Sequence, residues 1–421
     1  MYLLSHIGAN MANGVTIPGI TGKPGGGIPL VALVVALTIG HGMASMALLV
    51  LPAVAPAVAR DYGVDASLIG YQISLVSIGM LFSLIMFGNL SRKLGGCRTN
   101  QLGHCMVVCG MLLMLLPAMG FFILASLAIG LGFGLLAPST FYLLTRFAPV
   151  ERRNLVFSLQ QTSVPFGGIL AASVSPIIAV TVGWRWSLAL SACLLLAVIA
   201  MLQRGRARWD DDRDPATPAI ARDPLAGFRN NWRDSRLRLL SITGGTFCWA
   251  QFCVLSYTVV ACVEALGMSL IVAGTVLMAV QLCNAAGRVI AGWLADWLES
   301  ATRVLEWMAW MMLATCVALI WLSPTWPAPL VYVMFALLGI TSGAWAGILL
   351  AELGHRAPKG HVSTTLSGAL VYVNIGKFLG PTVFALTYAF TKSYGIAFAI
   401  VGIPAIVALC CLNALKSKKA A

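Results

Sequence analysis

Apolar runs of about 20 residues recur along nearly the whole chain. At a rise of about 1.5 Å per residue, each run is long enough to cross the roughly 30 Å hydrocarbon layer of a bilayer. Lipid offers no partners to backbone N–H and C=O groups, so such segments must form helices or a closed barrel. Barrel strands alternate polar and apolar residues, whereas these runs are continuous. Only 10% of the 421 residues are charged and 59% are hydrophobic, against roughly 25% charged in soluble domains. The fold class is therefore all-α integral membrane.

The spans fall near 30–58, 66–90, 100–118, 120–146, 155–182, 186–203, 239–263, 268–294, 304–323, 327–352, 362–390 and 394–415, twelve in all. Their polarity of insertion follows from Lys and Arg in the connecting loops. Arg92, Lys93 and Arg98 follow span 2, Arg146, Arg152 and Arg153 follow span 4, and Arg204 to Arg238 follow span 6. Arg303, Arg356, Lys359 and the closing Lys416, Lys418 and Lys419 complete the even-numbered side, while the odd loops hold only Arg60, Arg185 and Lys392. This places both termini in the cytoplasm and the chain in the inner membrane. Residues 1–27 are expected to be a flexible cytoplasmic tail, 28–203 a six-helix bundle, 204–238 a cytoplasmic linker with a short surface helix near Phe228–Leu237, 239–415 a second six-helix bundle, and 416–421 a basic tail.

The net charge of +13 sits in these loops rather than on one basic face, which argues against nucleic acid as a partner. The partners expected are the lipid bilayer, a small-molecule substrate and coupling protons, with the chain a monomer. Eleven cysteines are scattered singly through apolar segments. They read as small packing residues, so no metal, no disulfide and no cofactor is expected. Nothing in the motifs points to an enzyme.

The two halves carry related loops. Gly88-Asn89-Leu90-Ser91-Arg92-Lys93-Leu94-Gly95 follows the second span of the first half, and Gly292-Trp293-Leu294-Ala295-Asp296 follows the second span of the second. Weak internal repeats of this kind mark transporters whose site lies between the repeats. The run Gly287-Arg288-Val289-Ile290-Ala291-Gly292 up to Asp296 resembles the loop motif of the major facilitator superfamily, as does Gln160 to Gly168 with Gly183-Trp184-Arg185. In the first-half copy Arg92 stands where the family usually has Asp. The resemblance implies two pseudo-symmetric six-helix halves, with Asp296, Gly292, Arg92 and Lys93 as gating residues; Arg146 or Arg153 is the expected partner of Asp296.

Ionisable residues at bilayer depth are costly and read first as functional. Lys377 stands near the middle of its span, His41 is mid-span in the first helix, and Arg288 lies roughly 12 Å inside Asp296. Gln72, Gln160, Gln251, Asn284, Asn374 and Tyr372 add neutral hydrogen-bonding groups. The acids Asp61, Asp65, Glu264, Asp296, Glu299, Glu306 and Glu352 all fall near span ends. Deep cations without deep anions suit an anionic ligand. Bland readings compete: Arg288 snorkelling to the surface, Lys377 bonding carbonyls near Gly380-Pro381, His41 packing as a neutral ring, and the amides tying helices together. The glycines of Gly130-x-Gly132-x-Gly134 and prolines such as Pro52 and Pro381 read as close-packing and bending devices.

Arg288 and Lys377 also resemble the paired cations of the monocarboxylate and oxalate:formate antiporter carriers. That resemblance implies a secondary carrier of a small mono- or dicarboxylate, working by alternating access as exchanger or proton symporter. Efflux of a drug or metabolite is the alternative reading, and a membrane receptor a more distant one.

Overall fold

The structure is a computed structural model that describes residues 30–116, 119–149, 153–220, 223–358 and 361–420. The expected tail at 1–27, Arg152 and Lys359 lie outside them. Among the described residues the regular structure is entirely helical, and eleven helices are long and apolar enough to cross a membrane.

The first half contains α1 (Leu30–Tyr62), α2 (Ala66–Met86), α3 (Gly96–Leu113), α4 (Met119–Phe147), α5 (Arg153–Gln161 continued by Ser163–Thr181) and α6 (Trp184–Trp209). The second contains α7 (Ser235–Glu264), α8 (Leu270–Trp297), α9 (Ala301–Trp321), α10 (Ala328–Arg356, with a break at Ala344), α11 (Val362–Thr391) and α12 (Tyr394–Ile400 continued by Gly402–Ala420).

The twelfth span is α3, the least apolar of the set. It starts at Gly96 instead of near 100 because its polar first turns have partners inside the bundle. Asn100 Nδ2 donates to Ser139 Oγ and Thr140 Oγ1 of α4, both at 3.0 Å. Gln101 Nε2 donates to Ile199 O of α6 at 3.1 Å and to Gln203 Oε1 at 3.0 Å. The two side-chain amides thus donate to neighbouring helices instead of facing lipid.

Lipid is as apolar as leucine, so helix association rests on close packing. A Cβ on Gly130 of α4 would lie 2.1 Å from Val76 O of α2, so the two backbones touch there. A Cβ on Gly376 of α11 would lie 1.9 Å from Gly245 O of α7. That contact seats the residue before Lys377 directly on its neighbour. α1 bends at Val54, between Pro52 and Pro56. α11 runs unbroken through Pro381.

The halves meet chiefly where α2 packs on α11 and α5 on α8, with α1 and α7 most deeply enclosed. At the end away from the linker they are pinned by hydrogen bonds. Ser74 Oγ donates to Phe378 O at 2.9 Å, and Thr382 Oγ1 to Ser74 Oγ at 2.9 Å. Tyr257 OH lies 2.9 Å from Pro381 O and 3.3 Å from Ser67 O.

Helices run into the expected 204–238 linker from both sides. α6 continues through the helix-forming Arg204–Trp209 stretch, and α7 begins at Ser235. The linker helix spans Ala226–Arg233, ending early because Asp234 caps α7 by accepting from Arg236 N at 2.8 Å and Leu237 N at 3.1 Å. Asp210 accepts from Cys97 N at 2.7 Å and Arg98 N at 2.9 Å, capping α3. Burial pushes its carboxyl above the ordinary range, against the pull of those two amides. Arg146 of α4 pairs with Asp211 and Asp212. The acidic run thus clamps the ends of α3 and α4 to α6.

Candidate functional site

Between the halves lies a cavity of roughly 180 Å³. Its walls come from α1, α2, α4 and α5 of one half and α7, α8 and α11 of the other. The lining is mostly apolar, including Leu48, Leu49, Met80, Phe133, Phe252 and Leu255. His41, Ser45, Gln251, Gln281, Asn284 and Lys377 are its polar members. No Asp or Glu is among the described residues lining it. A larger cleft of about 480 Å³ at the far end of α1 and α6 is open and surface-lying, with Asp61 there paired to Arg185; the enclosed cavity is the better candidate site.

Lys377 is 5% exposed. Its Nζ sits 4.2 Å from the centroid of the Phe252 ring and 5.8 Å from that of Phe133, and 3.2 Å from Met80 Sδ. A ring face and a thioether are soft partners for an ammonium group. This lysine meets no carboxylate among the described residues, so its charge is available to an incoming anion.

The neutral groups around it are ordered by their own contacts. Gln251 Oε1 accepts from Trp345 Nε1 at 3.2 Å. Asn284 Nδ2 approaches Gln281 Oε1 at 3.4 Å. His41 meets Phe133 edge-on, with ring centroids 5.7 Å apart.

Four of the nine substrate candidates from the sequence therefore line the cavity: Lys377, His41, Asn284 and Gln251. The other five do not. Arg288 donates from Nε to Asn284 Oδ1 at 3.1 Å and from Nη1 to Gln161 O at 3.3 Å. It reaches the cavity only through Asn284, and the two cations do not converge on one cavity wall. Tyr372 is covered by the linker helix, its ring stacked on Phe228 at 4.8 Å and Trp232 at 6.5 Å. Asn374 bonds back to Leu370 O at 2.9 Å. Gln72 and Gln160 are buried, and neither lines the cavity.

The gating candidates sit at the linker end. Asp296 is exposed and bonds to none of the described side chains. The expected partner Arg146 is committed to Asp211 and Asp212, and the Arg153 side chain lies outside the described residues. Gly292 has open space where a Cβ would stand, so no helix crosses there. Arg92 offers its carbonyl to Asp214 N at 2.8 Å, and Lys93 is half-buried beside it. The sequence reading missed Ser45, Met80, Phe133 and Phe252, because apolar and small residues carry no signal of facing a cavity in a chain this apolar.

The chain matches the Major Facilitator Superfamily over residues 35–381. It belongs to that superfamily. As a member it is a multi-pass membrane transporter driven by gradients. It is 21% identical to the benzoate transport protein of Acinetobacter baylyi, over 84% of this chain and 82% of that protein. It is 23% identical to the gentisate transporter of Corynebacterium glutamicum, over 87% of this chain and 83% of that protein. Among solved structures, a D-xylose-proton symporter superposes with a TM-score of 0.72 at 15% identity, covering 91% of this chain and 97% of that one. At that identity the structural likeness speaks for the fold alone.

Proposed function

We propose that this transporter carries a small aromatic monocarboxylate, with Lys377 meeting the carboxylate and Phe133 and Phe252 flanking the ring. The observation that carries this reading is the placement of Lys377 Nζ between two phenyl rings in a small apolar cavity. An apolar cavity of about 150 Å³ is known to hold benzene, so the space suits one ring. A single cation on the wall favours a monocarboxylate over a dicarboxylate. The benzoate and gentisate transporters among its relatives support the same class. Transport proceeds by alternating access, as exchange or proton symport. The linker end faces the cytoplasm of the inner membrane, on the strength of its Arg and Lys excess.

The test is equilibrium binding of labelled benzoate to the purified protein, with aliphatic mono- and dicarboxylates as competitors. Burying a phenyl ring is worth about 1.5–3 kcal/mol. Aromatic monocarboxylates should therefore compete about tenfold or more better than aliphatic ones. Absence of saturable benzoate binding, or a preference for dicarboxylates, would sink the reading.

A further inference from the structure

The aromatic-acid reading uses one end of the ligand and leaves two polar groups of the cavity unemployed. His41 and Ser45 both line it. They stand four residues apart on α1, and so on one face of that helix. His41 is 8% exposed and Ser45 1%. Neither His41 Nδ1 nor Ser45 Oγ has a hydrogen-bond partner. An unsatisfied buried polar atom costs about 1–3 kcal/mol, so two of them one turn apart in a cavity wall ask for a ligand.

Ser45, like Thr38 on the same helix, lacks a bond that most hydroxyls in these spans make. Ser and Thr hydroxyls inside apolar helices usually bond the carbonyl four residues back. Ser77 does so to Ile73 O at 2.8 Å, Ser126 to Phe122 O at 2.7 Å and Thr258 to Val254 O at 2.7 Å. Ser45 does not, and its hydroxyl remains free to turn to another partner. The His41 ring is held by its edge contact with Phe133, the same ring that Lys377 approaches at 5.8 Å. A ligand ring lying against Phe133 is therefore within reach of Lys377 from the second half and of His41 and Ser45 from the first.

We propose that His41 and Ser45 form a second polar anchor that reads a hydroxyl on the substrate's ring, so that hydroxylated aromatic carboxylates are the preferred substrates. This rests on the aromatic-carboxylate reading of the site. A neutral imidazole offers one donor and one acceptor, and a serine hydroxyl offers both. A phenol also donates and accepts, and so satisfies the pair where a bare ring leaves both orphaned. Sites that hydrogen-bond a substrate hydroxyl discriminate strongly against the analogue lacking it. Because the anchors belong to opposite halves, a ligand that meets both also bridges the halves.

The experiment is a competition series on the purified protein with benzoate, the three hydroxybenzoates and the matching methoxybenzoates. Wild type should bind one hydroxybenzoate isomer about tenfold more tightly than benzoate, the effect of one or two well-placed hydrogen bonds. The methoxy analogue, which cannot donate, should lose that gain. In Ser45→Ala and His41→Phe the preference should collapse to within about twofold. Thermal unfolding in detergent reports, independently of any ligand, that each variant is folded. Equal binding of benzoate and every hydroxybenzoate to wild type, or an undiminished preference in both variants, overturns the hydroxyl anchor and leaves the aromatic-acid site standing. Failure of every aromatic carboxylate to bind overturns both.

Discussion

The Arg288 guanidinium donates to the Gln161 carbonyl across the boundary between the halves, 3.3 Å away. The acceptor lies at the break in α5, and the residue four positions on is Pro165, which has no N–H to give the Gln161 carbonyl. The same guanidinium holds Asn284, a cavity residue, at 3.1 Å. Arg288 thus links the position of α8 against α5 to the cavity wall.

Arg288→Ala should slow transport more than it weakens substrate binding, since the side chain touches the ligand only through Asn284. Arg288→Lys should not restore the rate, because a point charge cannot make both bonds of the planar fork. Turnover in proteoliposomes measured beside equilibrium binding checks this. A loss of affinity as large as that of a Lys377 variant, with normal turnover per bound substrate, would show that Arg288 meets the ligand itself.

Lys377→Met keeps the length and apolar body of the side chain and removes the charge. Loss of one partner from a buried charged hydrogen bond costs about 2–5 kcal/mol, so benzoate affinity should fall about 30-fold or more. Lys377→Arg should retain part of it. Calorimetry on the three proteins decides the matter, and wild-type affinity in the Met variant would leave the anion site without its cation.

Tyr257 closes the far end. Its ring stacks on Phe384 at 4.0 Å, its hydroxyl lies 2.9 Å from Pro381 O, and a Cβ on Gly70 would stand 2.0 Å from that hydroxyl. Only glycine permits this approach between α2 and α7. Tyr257→Phe loses hydrogen bonding worth about 1 kcal/mol and should shift the resting equilibrium about fivefold toward the state open at this end. Spin labels on the ends of α1 and α7 would report the change as a longer distance population. An unaltered distribution would mean that the hydroxyl does not hold the closed state.

Asp210→Ala removes the cap from two amides of α3. Caps of this kind are worth about 0.5–2 kcal/mol, so the thermal midpoint should drop, while benzoate affinity, set in a cavity formed by other residues, should change far less. Asp210→Asn should recover part of the stability, having one oxygen left to accept. Thermal unfolding in detergent, read with and without benzoate, separates the two effects.

Gly227 and Gly368 show how the linker helix is attached. A Cβ on Gly368 of α11 would stand 2.2 Å from Gly227 O, and Asn231 Nδ2 donates to Thr365 O at 2.9 Å. The linker helix therefore docks on the helix that carries Lys377. Gly227→Leu should lower stability and transport together by prising the helix from α11. A variant as stable and active as wild type would show the contact to be dispensable.

The sequence by itself determined that the chain is a series of apolar helices and that Lys377 and His41 stand inside two of them, because both depend on local apolar length. It also marked where charge gathers between the spans. It could not say which face of each helix turns inward. In this chain the lipid face and the packed face are equally apolar, so no periodic contrast separates Phe133 or Phe252 from a lipid-facing phenylalanine. Depth alone made Arg288 and Lys377 look equivalent. Only the tertiary structure placed one on the cavity wall and spent the other on a carbonyl across the halves. It likewise turned the Asp210–Asp212 run from a solvated linker into a clamp, because the open amides of α3 and the guanidinium of Arg146 come to the same end of the bundle only once the helices have packed.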